Sequence, residues 1–408
     1  MMKEGGDWER SGEPVADAIA QAAFIEPEPA EDIRLVLEDR HQDFERDTMG
    51  EEGPFDEGTH YETAEVDDVE FRERWADFER SLKSEVRFFS RQAEATLEMI
   101  FEGVFDAPTR NGTPIVQEVG PGSELRGVYR ARVFQANGEF EKALQRPDKG
   151  IGPPPTEVAA AGRMNARGVS VFYGATDEAV AIAEVRPPVG SRVVVGRFDF
   201  LRPVRLLDIA ALQSVLVTGS IFEPGFARRL ERAKFLETLS RRITRPVMPN
   251  DEPFEYLVTQ AMADFLADRH EHGLDGLLYP SAQVAGQGAN VVLFNKAARV
   301  EELEIPGDAK LTVIQMSHSD EDDEPSESDY VVWEEIPKAA ATLPPKPSWP
   351  PDFSTLFGRA DLLGADHREP TLKIDISSLK VHRVLGSSIR TETANVERRR
   401  RTEMKPDF

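Results

Sequence analysis

The sequence predicts an α+β fold, with a small helical domain ahead of a sheet-forming region. Three observations carry that prediction. Phe71, Trp75, Phe78, Leu82 and Val86 recur at steps of three and four, with Leu97, Ile100 and Phe101 following. That spacing is an amphipathic helix, or two, with one apolar stripe. Short β-branched and aromatic runs then fall at 127–135, 192–200, 203–208, 275–283 and 290–294, bounded by turn residues as strands are. Between them lie two longer amphipathic stretches, one starting near Pro224 and one from Phe254 to His270.

Composition sorts the chain into six parts. Residues 1–65 are acidic, with a helix allowed around Ile33 to Phe44 and the rest expected without regular structure. Residues 66–120 form the helical domain and 121–316 the main domain. An acidic and Pro-rich insertion or linker covers 317–370, strands returning to the main domain cover 371–390, and 391–408 is a tail whose RRRR run reads as solvated. The basic helix near Pro224 is expected to dock on acidic surface of the same chain.

The 408 residues carry a formal net charge of −25 and no cysteine. Disulfides, thiolate metal sites and cysteine nucleophiles are excluded, and nucleic acid is disfavoured as a partner. There is no apolar run of the roughly 18 to 20 residues a membrane span needs, and no signal peptide. The expectation is a soluble, cytoplasmic protein without membrane contact.

Chemistry concentrates between Gly152 and Pro188. GPPP (152–155) is extended loop, since prolines fix φ and remove donors. Gly162 and Gly168 bracket RMNAR, a turn-rich segment where backbone can approach a ligand. VSVFY (169–173) reads as a strand. Thr176 or Asp177 is then an N-cap for a helix carrying Val180, Ala183 and Glu184, with Glu184 about two turns in. Arg163, Asn165, Tyr173 and Glu184 thus share 22 residues and outline a pocket wall. On the strand at 127–135, Arg130 and Arg132 share one face, with Val128, Ala131 and Val133 expected off it.

Familiar motifs do not match. His270 and His272 lack the H-E-x-x-H register, and no metal constellation stands out. Walker A and G-x-G-x-x-G loops are missing, and Ser281 has no G-x-S-x-G elbow. Singly, each polar residue of the set has an ordinary account as surface charge, half-buried packing or turn former.

Together, GRMNARGVSVFYGATDEAVAIAEV, LDGLLYPSAQ and GANVVLF resemble the RES-domain family over about Gly127 to Val300, with LKIDISSLKVHRV as a return to the core. Arg163, Tyr173, Glu184, Ser281 and Asn290 fall on the family's pattern and Asn165 on the N of its first motif; Pro280 inside Y-P-S is a departure. The resemblance implies an ADP-ribosyltransferase-like fold, a mixed sheet core with flanking helices, and a NAD-degrading activity of toxin type. NAD is then a substrate, with no cofactor or metal, inorganic phosphate is a co-substrate if cleavage is phosphorolytic, and an antitoxin protein and a homo-oligomer are the partners it brings into view.

On that reading Glu184 stabilises a developing ribosyl cation and Arg163 offers a fork to phosphate oxygens. Tyr173 stacks on nicotinamide, and Ser281 completes the catalytic set. Asn165, Asn290 and Arg130 bind substrate. Two alternatives stay open: transfer of ADP-ribose to a macromolecule, disfavoured by Ile182 where transferases carry a second acid, and a nucleotide sensor without turnover. The N-terminal helices resemble the HEPN-like region of longer members. No R-x4-6-H stands in that helical region, and Arg34 and His41 lie in the acidic part, so a structural or partner-binding role is expected there.

Overall fold

In the computed structural model, the stripe of Phe71, Trp75, Phe78 and Leu82 is the buried face of one helix. The structure describes residues 10–398 apart from 43, 63–65, 220–222, 249, 269–272, 285–287, 318–327, 338–365, 387, 389–390 and 397. His270, His272, most of the acidic and Pro-rich insertion, and the RRRR run beyond Arg398 lie outside the described residues. The chain divides into two units, Met1–Ile115 with Ala211–Ile243, and Val116–Ala210 with Thr244–Phe408.

The first unit begins with β1 (Glu13–Pro14), α1 (Val15–Ala23), α2 (Pro27–Arg40), α3 (Phe44–Met49) and β2 (His60–Tyr61), β1 and β2 pairing antiparallel. This corrects the expectation of largely irregular chain before residue 65. A few anchors suffice: Val15 and Ala30 are buried, and the buried Arg34 bonds to Glu31, Glu38 and the carbonyl of Phe55. Pro27 opens α2 at a position where its missing N–H costs nothing. Then come α4 (Val69–Ser84) and α5 (Arg91–Phe101), the latter capped by Ser90, whose hydroxyl accepts from Ala93 N at 3.2 Å. Val86, expected in the stripe, lies past the end of α4 and is exposed.

The second unit carries β3 (Val116–Val119), β4 (Gly127–Phe134), α6 (Asn137–Gln145), α7 (Pro147–Gly150), β5 (Phe172–Ala175), α8 (Glu178–Glu184), β6 (Arg192–Phe200) and β7 (Val204–Asp208). Residues 211–243 then belong to the first unit, so the domain expected over 121–316 is interrupted. Their helix, α9 (Phe226–Thr244), sets Phe235 against Phe71 and Trp75. Its cations meet acidic surface of the same unit, Arg232 on Glu102 at 2.5 Å and Arg242 on Glu79 at 2.6 Å. The second unit resumes with α10 (Glu252–Asp268), β8 (Gly276–Pro280), β9 (Ala289–Leu293), β10 (Lys310–Ser317), β11 (Ser328–Glu335) and β12 (Leu372–Arg383).

Eight of these strands form one mixed sheet in the order β12-β6-β4-β5-β9-β8-β7-β3. Only β7 and β8 pair in parallel; every other neighbouring pair is antiparallel. The strands alternate as their period of two requires. Val194, Phe198, Phe172 and Val291 face one core that also holds Phe140 and Leu144 of α6. Val193, Val195, Ala131 and Ala175 face the other, where α8 adds Val180 and Ala181. Val128 belongs to the first core with Phe134, so it lies on the same face as Arg130 and Arg132, a correction that strict alternation demands.

β10 and β11 make a separate antiparallel ribbon from Lys310↔Glu335 to Ser317↔Ser328. Its second strand stands where the composition suggests only linker. Val313 and Tyr330 pack on the first core, which is what draws the segment into a strand pair. Among the described residues, no helix is long and apolar enough to cross a membrane.

Candidate active site

The middle of the sheet sets the site. β4, β5, β9 and β8 are successive neighbours and bring Arg130, Tyr173, Asn290 and Tyr279 to one cleft. Asn290 stands opposite Ala175 on one side and Tyr279 on the other. The cleft holds about 510 Å³, inside the range of small-molecule sites. Arg163, Glu184, Arg186, Glu252, Tyr256 and Gln283 also line it.

Glu184 is the last residue of α8, two turns from the Asp177 N-cap. One of its oxygens, Oε1, accepts from Ser281 Oγ at 2.6 Å and from Asn290 Nδ2 at 2.8 Å. Ser281 is itself fixed, its Oγ accepting from Gln283 N at 3.2 Å and Val284 N at 3.3 Å. Both neutral groups therefore hold the carboxylate. Ser281 is buried and does not line the cleft. Its contact with anything bound there runs through Glu184.

Tyr173 projects from β5, a strand that starts at Phe172 rather than at Val169. Its hydroxyl donates to Asn165 Oδ1 and accepts from Met164 N, both at 2.9 Å. Burial pushes that hydroxyl up to about 12. Asn165, also buried, donates its amide to the carbonyls of Ala160, Ala166 and Val169. Its polar atoms tie the Gly162–Asn165 turn together, and it is not among the residues lining the cleft. Asn165 thus reaches the site through Tyr173 rather than as a direct ligand contact. Gly162 is required there, because a Cβ would come within 2.5 Å of Asn165 Oδ1 and 2.7 Å of the Tyr173 hydroxyl.

Arg130 lies over the Phe172 ring at 5.2 Å, its Nε donating to Ile151 O at 2.7 Å and a terminal nitrogen to Tyr173 O at 2.5 Å. Burial, helped by nearby Arg132, lowers its pKa to about 10, so it stays charged at neutral pH. Two of its donors are committed to backbone, which makes it a brace between β5 and the end of α7 as much as a face of the cleft.

Tyr256 and Glu252 also line the cleft, and no sequence motif marks them. The Arg163 guanidinium carbon lies 5.7 Å from the Tyr256 ring centre, and the Tyr256 hydroxyl donates to Glu252 Oε1 at 3.0 Å. Burial and then the Glu252 carboxylate push that hydroxyl's pKa up, while Arg163 pulls it down. Arg186, two residues past Glu184, takes φ +42°, in the left-handed region where side chains are uncommon.

Such a site sets an anchored carboxylate, a guanidinium on an aromatic face and several tyrosines around one space. It can hold a planar, anionic ligand and offer negative charge to a cationic centre. Residues 128–313 match the family model described as the RES domain. No curated protein matches the chain.

Proposed function

We propose, from the premise that residues 128–313 are a RES domain, that this chain consumes NAD by cleaving its nicotinamide–ribose bond. The observation that carries the reading is the Glu184 carboxylate, fixed at one oxygen by Ser281 and Asn290 at the wall of a cleft that also holds Arg163 and Tyr173. As the C–N bond lengthens, its electron pair leaves with the nicotinamide nitrogen and positive charge grows on the ribose. A preorganised anion is worth several kcal/mol to such a transition state. An oxygen of phosphate or of water then supplies the pair for the new bond at the ribose carbon. With phosphate the products are nicotinamide and ADP-ribose-1″-phosphate; with water they are nicotinamide and ADP-ribose, and a proton is released.

Arg163 suits the pyrophosphate, or an incoming phosphate, through its planar fork. Transfer of ADP-ribose to a macromolecule is the weaker reading. Ile182, two residues before Glu184, packs into the apolar core beneath α8, so no second acid stands beside the first on that side. Toxin-type NAD depletion, with an antitoxin as partner, is the setting in which such an activity makes sense.

The test is incubation of the purified chain with NAD, with and without phosphate, and mass analysis of the products. Release of nicotinamide is expected, and ADP-ribose-1″-phosphate separates phosphorolysis from hydrolysis. The sensor reading survives only if NAD remains intact at the end.

A further inference from the structure

Buried polar groups find hydrogen-bond partners as a rule, and the hydroxyl of Tyr279 departs from it. Tyr279 lines the cleft and is only 8% exposed, yet among the described residues its hydroxyl bonds to no protein group. The Tyr173 hydroxyl, in the same cleft, is held twice. Burial above all, with Tyr173 and Glu184 adding and Arg163 opposing, pushes the Tyr279 pKa far up. The phenol therefore keeps its proton and is a standing donor. In the β8–β9 register it stands opposite Asn290, and directly opposed residues of an antiparallel pair project from one face. Asn290 holds Oε1 of Glu184, so phenol and carboxylate share a wall of the cleft. Among the described residues, Oε2 of that carboxylate accepts no hydrogen bond. The wall thus offers a donor without an acceptor beside an acceptor without a donor. A single alcohol satisfies both, its O–H donating to the carboxylate and its oxygen accepting from the phenol. A ligand without it leaves two polar groups unpaired, which is how a small site discriminates most strongly.

We propose that Tyr279 is a specificity-determining residue, its hydroxyl donating to the 2″-oxygen of the nicotinamide ribose, next to the bond that breaks. The proposal rests on the reading of the cleft as a NAD site and deepens it. The cleft then selects a ribosyl group over a 2-deoxyribosyl one, and Tyr279 carries that choice.

The experiment crosses two proteins with two ligands. The full chain and its Tyr279→Phe variant each receive NAD and NAD lacking the 2″-hydroxyl, with nicotinamide release as the readout. Calorimetric binding of ADP-ribose and of 2″-deoxy-ADP-ribose is measured alongside. Tyr279→Phe should lower kcat/KM for NAD, and weaken ADP-ribose, by about tenfold. With the deoxy ligands it should change both by less than about twofold, since the bond it removes is already missing. Equal losses on both ligands overturn the assignment, because the phenol then touches another part of the ligand. Wild-type protein that binds the two ADP-riboses equally well overturns it too. Thermal unfolding supplies an independent check: a hydroxyl without a protein partner has no bond to lose, so the Phe variant should melt no lower than wild type. A variant several degrees less stable, or unfolded, shows that the hydroxyl serves the fold and overturns the proposal. NAD turnover without the coupling keeps the NAD-consuming function and removes the role of Tyr279. Coupling in ADP-ribose binding, with NAD left intact, does the reverse. Protein that neither turns over NAD nor binds ADP-ribose removes both.

Discussion

Ser281 Oγ donates to Glu184 Oε1 at 2.6 Å, across 97 residues of sequence. With Asn290 on the same oxygen, the carboxylate has one fixed edge, and among the described residues Oε2 carries no such bond. The end of α8 is thereby tied to β9 and to the turn after β8. On the proposed function, Ser281 acts on the chemistry by holding the Glu184 carboxylate.

That division of labour sets an order of damage. Glu184→Gln should abolish NAD loss while the chain stays folded, because the amide keeps the shape and removes the charge. Ser281→Ala leaves the charge and frees the carboxylate to turn, so about a 10- to 100-fold fall in kcat is expected, the cost of one hydrogen bond to a charged group. Steady-state kinetics on both variants checks this. Equal and complete loss in Ser281→Ala would place the hydroxyl in the reaction itself.

Arg163→Lys should be nearly as damaging as Arg163→Ala. An ammonium is a compact point charge and cannot make two parallel bonds to phosphate oxygens, nor spread over the Tyr256 ring as a guanidinium does. The readout is KM for NAD in both variants. If lysine restores most of the affinity, Arg163 supplies only diffuse positive charge.

How much of this was legible beforehand follows from the kind of signal each residue leaves. Arg163, Tyr173 and Glu184 sit among glycines, a β-branched run and an N-cap, local features that place them on a turn, a strand and a helix. Local pattern also located seven of the eight strands of the sheet to within a few residues, but β3 fell inside the stretch read as helical domain. It could not say that Ser281 and Asn290 converge on Glu184, because that depends on the β8–β9 register and on how α8 lies over the sheet. Tyr256 and Glu252 look in sequence like the polar side of an ordinary amphipathic helix. Strand β11 and the helices before residue 65 were hidden by acidic composition. A segment rich in carboxylates reads as solvated throughout, yet a few apolar anchors, Val15, Ala30, Val313 and Tyr330, are enough to fix it.

Stability should fall above pH 10, and Tyr173 should account for part of the fall. Its hydroxyl titrates near 10 in an unfolded chain and near 12 in the folded one, raised by burial. Tyr279 is pushed up in the same way. A raised folded value means the folded state keeps a proton that the unfolded state has lost. The contribution is therefore whole below pH 10 and drains away as pH rises through 12, at up to about 1.4 kcal/mol per pH unit per group. Thermal midpoints of wild type and Tyr173→Phe at pH 8, 10 and 11.5 test it. The variant starts lower, having lost the bonds to Asn165 and Met164, but should decline less steeply. Parallel curves would assign the alkaline loss to other groups.

The last prediction concerns β12, which lies beyond the residues that match the RES domain. It pairs with β6 along two stretches, Leu372 to Asp375 and Lys380 to Arg383, separated by a bulge. Leu372 and Ile374 are fully buried in the main core of the sheet, and burying such side chains is worth roughly 1.5–3 kcal/mol each. The second stretch reaches the site helix, since Lys380 Nζ bonds Glu178 Oε2 at 2.7 Å and His382 Nε2 lies 3.0 Å from Glu178 Oε1. Glu178 opens α8 and Glu184 closes it. Ending the chain at Glu369 should therefore cost stability by several kcal/mol and expose β6 as a new edge. Lys380→Met, by contrast, breaks only a half-exposed ion pair, worth about 1 kcal/mol or less. It should leave the thermal midpoint nearly unchanged. The two chains are compared by thermal unfolding and by NAD consumption at a temperature where both remain folded. A truncated chain as stable as wild type would mean that the sheet closes at β6, and that β12 lies against it without supporting it.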